Sequence, residues 1–257
     1  MDIKCKFTGE VLYSDLSADI RDTVLSALRR GIPFVLADLE GADLYGMDLS
    51  GMDLHGAWMN DSDMRGCNLE GANLRGARLM GAYLEGANLK DTNLSFASLL
   101  DASLQGARFE NACLRRANLS KANMDGVDLR GVDVSKACFV MASMRGAVLE
   151  GITFEGCEMR GAYMTEARLG GADLRGADLR GFWDGRNEYY TDLTRADLKG
   201  TDLRGMDLQR TYLSDSILDA ITDGADIGDR NSVQKRLHDS VLAAEGDSGT
   251  KGTLSAA

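Results

Sequence analysis

Two histidines and five cysteines are the residues of this chain best suited to chemistry, and their surroundings argue against it. His55 stands in "MDLHG" and His238 in "QKRLHDS", neither inside a cysteine or carboxylate constellation. Cys5, Cys67, Cys113, Cys138 and Cys157 form no CxxC pair and are odd in number. That speaks against both a metal site and a disulfide framework. Carboxylates abound but are spread along the chain, with no phosphate-binding loop or nucleophile elbow. The glycines keep a five-residue beat rather than forming a nucleotide cradle. The residues therefore point to no catalytic group, no metal and no cofactor.

The elements that must position any functional side chain are set by that beat. In "ADLEG ADLYG MDLSG MDLHG" a large apolar residue recurs every five positions, from Leu39 to Leu179 without a break. Phe34 reads as one further unit at the start. The series resumes at Leu193 and runs to Leu218. Two positions earlier the residue is small (Ala37, Ala42, Cys67, Ala72). Between the two sits a polar residue, often Asp or Asn, and the fifth position is most often glycine. Period five fits neither a helix nor plain strand alternation. It fits a short strand plus a corner, because residues two apart on a strand face the same way. The small and large residues then face inward, and glycine eases the bend. Such segments bury their apolar side only by stacking. A chain with 44% hydrophobic but 6% aromatic residues suits a thin core of this kind.

This pattern resembles the pentapeptide repeat family, whose consensus is A(D/N)LxG, over about 34–219. The resemblance implies an all-β solenoid, a right-handed quadrilateral β-helix with four pentapeptides per coil. About nine coils at about 4.8 Å each make a rod roughly 43 Å long. Met47, Met52, Val127, Val132 and Ile152 replace the small inward residue and should widen the coil locally.

Both rod ends need covering, since bare terminal strands invite polymerisation. Residues 1–33 read as a small α/β cap: two strands around Thr8-Gly9, then a helix over 17–31 ended by Gly31 and Pro33. Residues 220–245 read as a C-terminal helical cap, with a helix over 231–245 that in related proteins often pairs two subunits. Residues 246–257 read as a disordered tail.

Function is then sought in what faces outward. The chain carries a net charge of −11, which opposes phosphate backbones and attracts basic proteins. From 34 to 60 there are five acids and no Lys or Arg. Asp38, Asp43, Asp48, Asp53 and Asp63 form a candidate acidic surface. A second candidate is the interruption at about 182–191, "FWDGRNEYYT". Its Phe182, Trp183, Asp184, Arg186, Tyr189 and Tyr190 have the composition of an interface loop. Leu179 to Leu193 is not a multiple of five, so the phase slips there. A third is a run of outward apolar residues on one face, Trp58, Met80, Leu100 and Val140, with Phe96 and Met141 at nearby corners.

The resemblance extends to quinolone-resistance and phage-encoded pentapeptide repeat proteins. It implies a non-enzymatic DNA mimic that engages a protein with a basic, DNA-binding surface, DNA gyrase first. The alternatives are a phage-encoded inhibitor of a defence or restriction nuclease, and an interaction scaffold. No signal peptide or long apolar run is present, which points to a cytoplasmic protein without direct nucleic-acid or membrane contact.

Overall fold

The structure, a computed structural model, describes residues 1–203, 208 and 211–213, with only the backbone of Leu213. The expected C-terminal helix, its pairing of subunits, the tail and His238 lie outside the described residues.

From Phe34 onward the chain winds as a coil that repeats every 20 residues. Single parallel bridges join outward residues to those 20 further on, as in Asp38 to Trp58 and Trp58 to Arg78. Four pentapeptides therefore make one turn. We number the sides by their first inward residue: face one carries Leu39, face two Leu44, face three Leu49 and face four Leu54.

The five-residue period has a local cause. On Leu39 the amide donates up the ladder to the Trp58 carbonyl at 2.8 Å, while its carbonyl accepts from Ala42 at 3.1 Å. That second bond closes a β-turn at the corner. The turn's third residue adopts positive φ, as in Gly41 (65°) and Gly46 (64°), which glycine tolerates best. Among the described residues twelve non-glycine residues also adopt positive φ, and all twelve occupy a corner position, Asp61, Phe96, Asp101, Arg116 and Lys136 included. The recurrent Asp or Asn explains itself here. Its side chain accepts the backbone N–H two residues on, as in Asp43 to Tyr45 (3.0 Å) and Asp173 to Arg175 (3.0 Å), and steers the strand into the corner. The consensus acid is thus first a turn residue.

Inside, the large residues stack without solvent contact, from Phe34 through Leu44, Phe109 and Phe139 to Leu203. Met47, Val127, Val132 and Ile152 are buried in the small-residue column, whereas Met52 is only half-buried. Substituting the corner glycine Gly46, whose added Cβ would meet nothing, isolates the backbone effect. Gly46→Ala should cost about 1 kcal/mol in chemical denaturation.

The N-terminal residues cover the first coil. Strands β1 (Asp2–Lys4) and β2 (Val11–Ser14) form an antiparallel hairpin, followed by helix α1 (Ile20–Arg29). Asp19 caps α1 by accepting from the Asp22 amide at 2.8 Å. Gly31, at φ 67°, ends it: its N–H reaches the Leu28 carbonyl, and that of Ile32 reaches Ala27. The hairpin docks antiparallel on face one, where Cys5 bridges Ala37 and the Asp38 amide donates to the Lys4 carbonyl at 2.8 Å.

Candidate functional site

The five nominated acids all lie on the first two coils, but their charges are unequally available. Lys6, from the N-terminal hairpin, reaches Asp38 at 2.9 Å and Glu40 at 3.1 Å. Arg21 of α1 sits 3.6 Å from Asp43. Arg65 folds back on Asp63 and holds its carboxyl below the usual carboxylate range. A stretch free of bases in sequence is therefore supplied with them by the cap and by the next coil. Asp48 and Asp53 are different: each stays exposed and accepts only neutral donors, Asn68 and Asn73 at 3.0 Å from the coil above. Toward the other end, Asp128, Asp173 and Asp178 each hold an arginine two residues on, Arg130, Arg175 and Arg180, and titrate below their ordinary range for that reason. Much of the rod's formal acidity is thus paired locally.

Asp61, which extends the acidic run in sequence, shares a column with a second carboxylate that a linear reading does not connect to it. Asp61 and Asp101 stand exposed in one stacked column at the corner between faces one and two. The 20-residue stacking rule pairs them; a linear scan for acids finds Asp61 but not its relation to Asp101.

The interruption is a β-hairpin. Strand β3 (Phe182–Trp183) pairs antiparallel with β4 (Glu188–Tyr189), and the coil then resumes with β5 (Thr191–Leu193). There is no phase slip, contrary to the count from Leu179 to Leu193. Tyr163 bridges Asp192, 29 residues on instead of 20, so nine extra residues leave the coil and the ladder continues in register. Farther on, β5 pairs parallel with β6 (Thr211–Leu213) at the normal spacing.

The hairpin has a packed base and a free tip. Phe182 stacks on Tyr189, ring centroids 4.9 Å apart, and both rings lie over the Gly161 corner. A Cβ there would meet Phe182 at 3.2 Å and Tyr189 at 3.3 Å, so the position requires glycine twice over. Thr191 anchors the return: its hydroxyl accepts the Gly161 amide at 2.9 Å. Tyr190 stacks on Tyr212 at 4.7 Å. At the tip, Asp184 accepts the backbone amides of Arg186 and Asn187, which lower its pKa and fix the turn. Trp183 remains 54% exposed, with Arg186 exposed beside it. The structure thus joins a plug and a projection in one element.

The nominated apolar face is less open than its pattern suggests. Trp58 is half-buried: Phe7 meets it edge-on at 5.8 Å, and the Arg78 guanidinium lies 3.9 Å from its ring. Leu100 and Val140 are half-buried by their stacked neighbours, whereas Met80 and Phe96 are exposed.

The thiols separate by column. Cys67 and Cys157 occupy inward small-residue positions, and burial pushes them up to about 11 and about 12. Each donates to a carbonyl of the coil below, Leu44 and Val134. Cys113 and Cys138 face outward and are half-buried. In the native protein, iodoacetamide mapped by mass spectrometry should modify Cys113 and Cys138 and spare Cys67 and Cys157. Among the described residues no three His, Cys, Asp or Glu side chains gather as metal ligands, and no helix is long and apolar enough to cross a membrane.

The repeats match a known family. The family model for pentapeptide repeats matches eight copies over residues 37–76, 77–116, 102–139, 142–181 and 190–219. HetL, a protein involved in heterocyst differentiation regulation in the cyanobacterium Nostoc sp. strain PCC 7120, is 23% identical over 75% of this chain and 92% of its own, with a TM-score of 0.38. QnrB1, a plasmid-mediated fluoroquinolone resistance protein, is 23% identical over 73% of this chain and 96% of its own, with a TM-score of 0.42. A pentapeptide repeat protein of the Arabidopsis thaliana thylakoid lumen is 30% identical over 50% of this chain and 69% of its own, with a TM-score of 0.22. No curated protein is a match. Members of the family fold as right-handed quadrilateral β-helices and serve in general as non-enzymatic structural or interaction proteins. By its repeats, its 20-residue coil and the family match over most of its length, this chain belongs to the pentapeptide repeat family.

Proposed function

We propose that the chain is a cytoplasmic, non-enzymatic binding protein that engages the basic, DNA-binding surface of a DNA-handling enzyme, DNA gyrase first. The observation that carries the reading is the hairpin at 182–190. It presents an exposed tryptophan and an arginine on a turn fixed by Asp184, while its base is wedged on the rod. Rigid aromatic and arginine anchors on a projection are what protein interfaces concentrate. The carboxylates free of cation partners, Asp48, Asp53, Asp61 and Asp101, supply the charge that would replace phosphates. A right-handed coil, as in the family, would wind them along the rod.

Purified gyrase provides the test. Binding should be saturable at low salt and should weaken as salt screens the charges. Asp48→Asn with Asp53→Asn keeps the turn hydrogen bonds and should weaken binding severalfold. Equal affinity for the double variant would remove the acidic surface from the account. A phage-encoded inhibitor of a host nuclease would use the same chemistry, and the identity of the bound enzyme separates the two readings.

A further inference from the structure

The corner between faces four and one carries the opposite charge. There the stacked column runs Gly76, Phe96, Arg116 and Lys136, with Arg75 and Arg115 one residue before the corner. The ladder fixes the stacking: the Phe96 amide donates to the Arg115 carbonyl, and that of Arg116 to Ser135, each at 3.0 Å. All four cations are exposed, and among the described residues none has a carboxylate within ion-pair distance. Asp133 acts on Arg115 through space, while its hydrogen bonds go to the Ser135 hydroxyl and amide. Elsewhere on the rod most arginines hold an acid, so this cluster is an exception.

Phe96 is the second observation. It takes positive φ, 62°, where a bulky side chain is strained and glycine is the usual residue. It is also 48% exposed. The guanidiniums of Arg75 and Arg116 lie 5.3 and 5.6 Å from its ring centroid. Backbone strain and exposed apolar area both act against this residue in the isolated rod. An external partner gives it a role.

We propose that this corner is a second docking surface, for a short acidic segment of a partner polypeptide that carries an apolar side chain. The patch spans three coil steps, from Arg75 to Lys136, or about 14 Å, the length of about four extended residues. Asp53 lies below it and Glu155 and Asp173 above it on the same face, so a long polyanion would run onto carboxylates. A short cluster of acids would not. Arginine forks suit carboxylates. Phe96 receives the apolar residue. This surface is independent of the hairpin, and a rod carrying both can hold two partners of opposite charge.

The test uses the whole chain and the peptide acetyl-Glu-Glu-Glu-Leu-Glu-Glu-Glu-amide, titrated by calorimetry at low and high salt, with oligothymidine as comparison. Phe96→Gly with Arg116→Gly places the family's usual residue at both corners, so the melting temperature should hold or rise. Peptide binding should be salt-sensitive and should fall about tenfold or more in that variant. Arg75→Gln with Arg115→Gln, which leaves the corners untouched, should do the same. No peptide binding, or binding unchanged in both variants, would overturn the proposal. Tighter binding of oligothymidine, lost in the same variants, would overturn the polypeptide partner in favour of nucleic acid.

Discussion

Deleting residues 182–190 should leave a folded rod that no longer binds its partner. The deletion joins Gly181 to Thr191 and produces "ADLRG TDLTR ADLKG", an uninterrupted run of the repeat. Thr191 and Asp192 already sit where that run would put them, since the ladder resumes across the hairpin in register. The deletion uncovers the Gly161 corner, its neighbour Met141 and the ring of Tyr212. Circular dichroism and melting should stay close to those of the parent, because no residue of the inward columns is removed. Binding to the partner should fall by two orders of magnitude or more, the scale set by losing an aromatic and arginine anchor pair together, at about 2 kcal/mol or more each. An unfolded or strongly destabilised deletion would mean that Phe182 and Tyr189 act chiefly as a plug. A folded deletion with full affinity would mean that the hairpin is a neutral insertion.

The second large effect lies in the core. Phe139 and Phe154 are fully buried and meet edge to face, 6.4 Å apart, in the middle of the stack. The rod's interior is narrow and bounded by backbone on four sides, so it has little freedom to collapse around a missing ring. Phe139→Ala should cost about 3–5 kcal/mol in chemical denaturation, at the upper end for large-to-small changes. A loss below about 1 kcal/mol would show that the coil contracts locally. Gly161→Ala should fall between this change and Gly46→Ala, because it adds a steric conflict with the hairpin base to the same backbone strain.

The regular part of the fold was legible because one short-range rule generates it. Inward pairs two apart, an Asx turn and a left-handed corner repeat with little dependence on anything distant. Leu39, Leu44 and Leu49 are buried for the same reason that Leu169 is. Stacking every 20 residues followed from four such corners, and with it the placing of Met80 on face one and of Phe96 at a corner. What was not legible depends on where a non-repeating segment lands. Nothing in the five-residue period says that Lys6 reaches Asp38 and Glu40, that Arg21 approaches Asp43, or that Phe7 covers Trp58. Those contacts are fixed by the docking of the N-terminal hairpin on face one, a tertiary event without a local signature. The hairpin at 182–190 was legible as an interruption by its composition. Its strand pairing and its wedge on Gly161 were not, because they depend on a corner one full coil earlier in the chain.

The acidic surface illustrates the difference between formal and available charge. A count gives −11 for the chain, yet Asp63, Asp128, Asp173 and Asp178 each carry their own arginine. The same carboxylates make the rod acid-sensitive in a defined sense. Their folded-state pKa values are depressed, so their contribution to stability is present above the ordinary carboxylate range. It is lost as the pH falls through the depressed values.

Partner capture tests the central claim most directly. The full chain and the 182–190 deletion would be immobilised side by side and exposed to bacterial lysate at low and high salt, with bound proteins identified by mass spectrometry. The account predicts that the full chain retains a DNA-handling enzyme with a basic surface at low salt, releases it at high salt, and that the folded deletion does not retain it. Recovery of no such enzyme, or equal recovery on both proteins, would contradict it.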